Sequence, residues 1–151
     1  MNINVENYWK KFIKENKLNE KIIYTEHFYF GNTEEMANDL GKLVLNGTKK
    51  ATSSLLKQYE IENENIPKVD QYSIVTDFKG NPKCIIKTTN VRFIKYKDMT
   101  FDICKLEGED DNLESWKNKH YTFFKRIADE NNFVFNEDLV IVFEEFKLVY
   151  K

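Results

Sequence analysis

Seven residues after Gly47, in the stretch LVLNGTKKATSSL (Leu43 to Leu55), carry two lysines and four hydroxyl side chains. A threonine hydroxyl becomes a nucleophile only when a base takes its proton. A lysine removed from water gives up its proton more readily and can serve as that base. Lys49 and Thr52 are three apart, so a regular strand would put them on opposite faces. Pairing them requires a bend or irregular turn just after Gly47. Lys50 and Thr52 would share a face of a flat strand and form the fallback pair. The ordinary alternative is that both lysines only complement the negative end of a preceding helix.

A second cluster follows in LEGEDDNLESW, where Glu107, Glu109, Asp110 and Asp111 place four carboxylates within five residues. One reading is a solvated acidic loop leading into the positive end of a helix. The other is a glutamate in a partly closed pocket, acting as a general acid with a raised pKa. The spacing is not that of a calcium loop and no histidine is close, so no metal is expected. His120 falls on the apolar face of a helix beside Trp116 and Phe124, as a core or boundary histidine does. His27, Tyr29 and Phe30 lie in an aromatic run that could stack on a nucleobase or belong to the core.

These residues have to be positioned by the elements around them. Val5, Tyr8, Trp9, Phe12 and Ile13 recur at helical spacing, with Asn4 as the expected N-cap. IIYTEHFYFG reads as an extended lead-in ending at Gly31. The next segment is a helix carrying Met36, Ala37, Leu40, Leu43 and Val44 on one stripe. Asn32 and Glu35 suit its capping box and Gly47 its stop. SSLLKQYEIENENIP predicts a short helix and a polar loop closed by Pro67. A strand, a turn at Phe78–Pro82 and a long strand follow. Cys84, Ile85 and Ile86 make the continuous apolar run of a well-buried strand. Residues 111–131 form an amphipathic helix with Leu113, Trp116, His120, Phe124 and Ile127 on one face. DLVIVFEEFKLVY is a strand, with a bulge or bend expected at Glu144 and Glu145. The pattern is α+β, with about five strands that could close into a small barrel.

The bulk numbers bound the function. A chain of 151 residues favours one domain with a core of its own. Charged residues reach 32% but nearly cancel to a net −2, so there is no bulk attraction to nucleic acid or an anionic membrane. Any RNA site must be a local patch. Two distant cysteines, Cys84 and Cys104, make neither a disulfide framework nor a zinc site and read as buried, reduced thiols. No apolar run suits a signal peptide or a membrane span, so a cytoplasmic protein is expected. The sequon at Asn46–Thr48 is then idle. Arginine occurs only at Arg92 and Arg126, the bias that an AT-rich genome writes.

Taken together these motifs resemble the ASCH domain family, in its bacterial YhfF-like branch. The hallmark Gly-x-Lys-x-x-Thr is met by Gly47, Lys49 and Thr52. It is followed in order by Glu107-Gly108-Glu109, the Trp116-to-His120 helix segment and the closing FKLVY. The resemblance runs from Phe28 to Tyr150, leaving 1–27 as an N-terminal helix and lead-in and 28–151 as the domain, one compact unit. It implies a PUA-like, small, mostly antiparallel β-barrel with flanking helices and a cleft lined by the Gly47–Thr52 segment. It also implies a ligand that is RNA or a modified nucleoside, with no cofactor. Some family members are amidohydrolases of N4-acetylcytidine, and others are reported to cleave RNA. Carried over, Lys49 is the base, Thr52 the nucleophile and Glu109 the acid. Gly47, Lys50, Glu107, Tyr29 and Trp116 are the expected substrate contacts. The alternative is a non-catalytic RNA or nucleotide-binding module, with Lys49 and Lys50 on phosphate and an aromatic on a base. Two positions depart from relatives: Asp110 and Asp70 each stand where a glycine is common. Their loops are expected to differ in backbone shape.

Overall fold

The structure is a computed structural model that describes residues 3–151. Its elements are α1 (Ile3–Glu15), β1 (Glu26–Phe28), α2 (Glu34–Leu45), β2 (Ala51–Leu55), α3 (Leu56–Glu62), β3 (Tyr72–Thr76), β4 (Pro82–Lys95), α4 (Phe101–Cys104), α5 (Leu113–Glu130) and β5 (Val140–Tyr150). The strands follow the order β1-β3-β4-β5-β2. β1 runs parallel to β3, whereas β3 with β4 and β2 with β5 are antiparallel. The α+β class and the mostly antiparallel pairing are those expected from the sequence.

The chain forms two compact units. The first comprises the residues up to Thr48, Val69–Thr89 and Phe146–Lys151. Here the apolar run of β4 finds its reason. Ile85 pairs with Ile74 and faces Val5, Trp9, Phe12 and Ile13 of α1. Cys84 and Ile86 point the other way, onto Val44 of α2, Phe30 and Phe146. A strand covered on both faces needs no polar alternation. α2 ends as its sequence requires. Gly47 takes φ +82, its N–H reaches Val44 O, and the Thr48 N–H reaches Leu43 O, which satisfies the last carbonyls of the helix.

The second unit comprises Lys49–Lys68 and Asn90–Glu145. Its core joins Ala51 and Leu55 of β2, Ile141 and Phe143 of β5, and Trp116, Phe124 and Ile127 of α5. These α5 residues are spaced by eight and three positions, close to whole helical turns, and so form one buried stripe. Replacing the fully buried Phe124 with alanine would cost about 3–5 kcal/mol.

Local expectations shift in three places. Thr33, not Asn32, caps α2, because its hydroxyl accepts the Met36 N–H at 3.1 Å. Asn4 lies within the first turn of α1, so that helix's cap falls outside the described residues. Along its β2 edge β5 carries no bulge at Glu144 and Glu145: the pairings Ala51 with Glu145 and Thr52 with Glu144 are consecutive and unbroken. The charge of Glu145 is met by Arg92, so the strand need not bend to release it. The register shift lies instead between Val75 and Thr76.

Candidate functional site

Lys49 and Lys50 precede β2 and are not part of its regular pleat. The Lys50 N–H donates to Leu106 O at 2.8 Å, which ties this segment to a single 3-10 turn at Lys105–Glu107. Gly108 ends that turn at φ +74, a left-handed conformation that glycine adopts without a Cβ penalty. The reversal lets the glutamates on both sides of it reach the same lysine.

The result is a buried polar cluster inside the second unit. Lys49 is 3% exposed. Its Nζ donates to Glu109 Oε2 at 2.7 Å and to Ala51 O at 2.9 Å, and lies 3.8 Å from Glu107 Oε1. Glu107 is equally buried, and Ser53 Oγ donates to its Oε2 at 2.9 Å. Trp116 Nε1 donates to the same oxygen. His120 stacks on the Trp116 ring with centroids 4.0 Å apart and sets Nε2 3.5 Å from Glu107 Oε1. Burial alone would push the Glu107 carboxyl up. The hydrogen bond from His120, the Lys49 charge and the Trp116 N–H outweigh it and hold the group below its ordinary range. Glu109 is the more open carboxylate, with its side chain 21% exposed.

Asp110 turns away from Lys49. Its carboxylate accepts from Ser115 Oγ at 2.6 Å and pairs with Lys119 Nζ at 2.9 Å, which clamps the acidic loop to the first turns of α5. The helix itself is capped by Asn112, whose side chain accepts the Ser115 N–H. Asp111 is exposed.

The structure thus brings Lys49, Glu107, Glu109 and Trp116 together. Thr52 is half-buried in β2, and strand alternation sets it on the face opposite Ser53. The side chain of Lys50 is exposed. Gly47 and Tyr29 belong to the first unit, Gly47 as the stop of α2 and Tyr29 with its ring 5.1 Å from that of Phe78. His27 is exposed there too. Sequence reasoning missed Ser53 and underrated His120. Both carried a signal: Ser53 shares a strand face with buried Ala51, and His120 follows Trp116 by one helical turn. Among the described residues no three His, Cys, Asp or Glu side chains gather as a metal-holding group. No helix among them is long and apolar enough to cross a membrane.

A lysine held between two glutamates thus sits on a mixed sheet with helices packed against it. The ASCH domain model matches residues 26–150, and the chain belongs to that family. An ASCH domain from Lactobacillus crispatus JV V101, known as a crystal structure, is 32% identical. It superposes with a TM-score of 0.93 over 100% of this chain and 97% of that one. A protein from Enterococcus faecalis V583 is 33% identical, with a TM-score of 0.90 over 97% of this chain and 88% of that one. No protein of curated function matches the chain.

Proposed function

We propose that the chain is a hydrolase that removes an acyl group from the amine of a modified nucleoside, free or within RNA. The observation that carries this reading is the 2.7 Å hydrogen bond between Lys49 Nζ and Glu109 Oε2. Moving one proton along that bond turns an ion pair into a neutral amine and a carboxylic acid. A general base and a general acid are then poised side by side. Lys49 also donates to Ala51 O, the carbonyl of the peptide whose nitrogen belongs to Thr52.

In this reading substrate binding brings the Thr52 hydroxyl, which the strand register sets on the face opposite Ser53, within reach of Lys49; Lys49 takes its proton and the Thr52 oxygen attacks the acyl carbon. The carbon–nitrogen bond breaks and Glu109 hands its proton to the departing amine. Water then cleaves the threonine ester, which releases the carboxylic acid and restores the hydroxyl. The test is release of cytidine from N4-acetylcytidine by the wild type, Thr52→Ala and Glu109→Gln. Each variant is expected to lose at least about 100-fold in kcat with its fold intact. Equal turnover in all three, or none in the wild type, overturns the reading.

A second reading rests on Lys50, whose side chain is exposed one residue from the cluster. Here the site binds RNA or a nucleotide without chemistry, through phosphate contacts. Binding then survives Glu109→Gln and weakens steeply with salt.

A further inference from the structure

We infer that Arg92 is an anion-recognition residue at the rim of the Lys49 cluster, and that the site takes a nucleoside phosphate in preference to the bare nucleoside. The inference rests on the proposed function for where the base sits.

Of the 23 basic side chains only Arg92 and Arg126 are arginine. An arginine carries a planar fork of donors that a lysine lacks. Arg92 Nε donates to Glu145 Oε2 at 2.9 Å. Asn90 Nδ2 donates to the same oxygen at 2.8 Å. Glu145 thereby fixes the guanidinium through Nε alone. Both Nη groups are left without a protein partner among the described residues, and the arginine side chain is 41% exposed. A guanidinium anchored at one edge with its remaining donors open is suited to bidentate capture of phosphate oxygens.

The strand register ties this group to the cluster. Glu145 lies directly opposite Ala51, whose carbonyl oxygen accepts from Lys49. Arg92 Nε touches Glu145, and Glu145 lies one strand spacing from Ala51, so the guanidinium stands roughly 10 Å from the Ala51 backbone. A nucleotide spans a similar distance between the amine edge of its base and its 5′-phosphate. With the acyl amide at Lys49 and Glu109, the phosphate comes to the guanidinium.

The test is equilibrium binding, read apart from turnover. N4-acetylcytidine, its 5′-monophosphate and a trinucleotide carrying it centrally are titrated into the wild type, Arg92→Gln and Arg92→Lys. The wild type is expected to bind one or both phosphate-bearing probes at least about tenfold more tightly than the nucleoside. That advantage disappears in Arg92→Gln, returns only in part in Arg92→Lys, and nucleoside binding is unchanged. The probe that gains more separates a free nucleotide from RNA. No phosphate advantage in the wild type, absence of binding, or an advantage that survives Arg92→Gln overturns the inference. Turnover of the nucleoside without a phosphate advantage leaves the proposed function standing. A phosphate advantage lost with Arg92, without turnover of any probe, does the reverse.

Discussion

Lys49 Nζ lies 2.7 Å from Glu109 Oε2, across sixty residues of chain. The lysine is enclosed and the glutamate partly open, so the pair presents a carboxylate to solvent while its amine partner stays dry. Three local devices hold it there. They are the Lys50-to-Leu106 backbone hydrogen bond, the left-handed turn at Gly108 and the Asp110 clamp on α5.

Glu107 is the structural anchor of the cluster. Its carboxyl sits below the usual 4.5 in the folded chain and returns to that value on unfolding, so the folded state binds fewer protons. The stability it contributes is complete above about pH 4.5 and is lost as pH falls through the folded value. Glu107→Gln should cost about 3 kcal/mol at pH 7, because Lys49 loses a buried counter-charge. Urea unfolding across pH should show a flatter acid limb in the variant. An unchanged acid limb would contradict this role.

Asp110 is a fastening in this chain. Asp110→Gly should destabilise by about 1–2 kcal/mol, because the Ser115 hydroxyl and Lys119 lose a charged acceptor. A double-mutant cycle with Ser115→Ala measures the coupling. A coupling of zero would mean that the loop is held by other contacts.

Asp70 holds a backbone conformation that glycine favours, at φ +73. Its ion pair with Lys87 spans 3.7 Å at an exposed carboxylate and contributes little. Asp70→Gly should therefore raise stability by about 0.5 kcal/mol, the relief of the left-handed strain less the greater chain entropy of glycine. Thermal melting checks the sign.

Burial pushes the Cys84 thiol up to about 12 and that of Cys104 up to about 11. Neither forms a thiolate near neutral pH. An aromatic disulfide reagent at pH 8 should leave both untouched in the folded protein and label both in urea. Prompt labelling without denaturant would contradict the burial.

The elements were readable where one physical cause dominates. The stripes of α1, α2 and α5, the Gly47 stop and the doubly covered Cys84–Ile86 run all follow from periodicity and turn chemistry. What the sequence hid were choices settled by partners far along the chain. Glu144 and Glu145 suggested a bend, because nothing nearby reveals that Arg92 neutralises Glu145. The hydroxyls of Thr52, Ser53 and Ser54 look alike in the sequence, and Ser53 is the one that donates to Glu107. Only the strand register, with Ala51 and Leu55 fully buried, decides which face meets the cluster. Asp110 looked like a lost glycine because its partners on α5 lie outside its own loop.

The most direct test of the Lys49–Glu109 pair is kinetic coupling. Lys49→Met, Glu109→Gln and the double variant are compared for turnover of N4-acetylcytidine, with folding verified by circular dichroism. If the two side chains share one proton as a unit, each single variant loses at least about 100-fold in kcat and the double variant is no slower than the slower single. Losses that multiply in the double variant, or a single variant with wild-type turnover, would contradict the account.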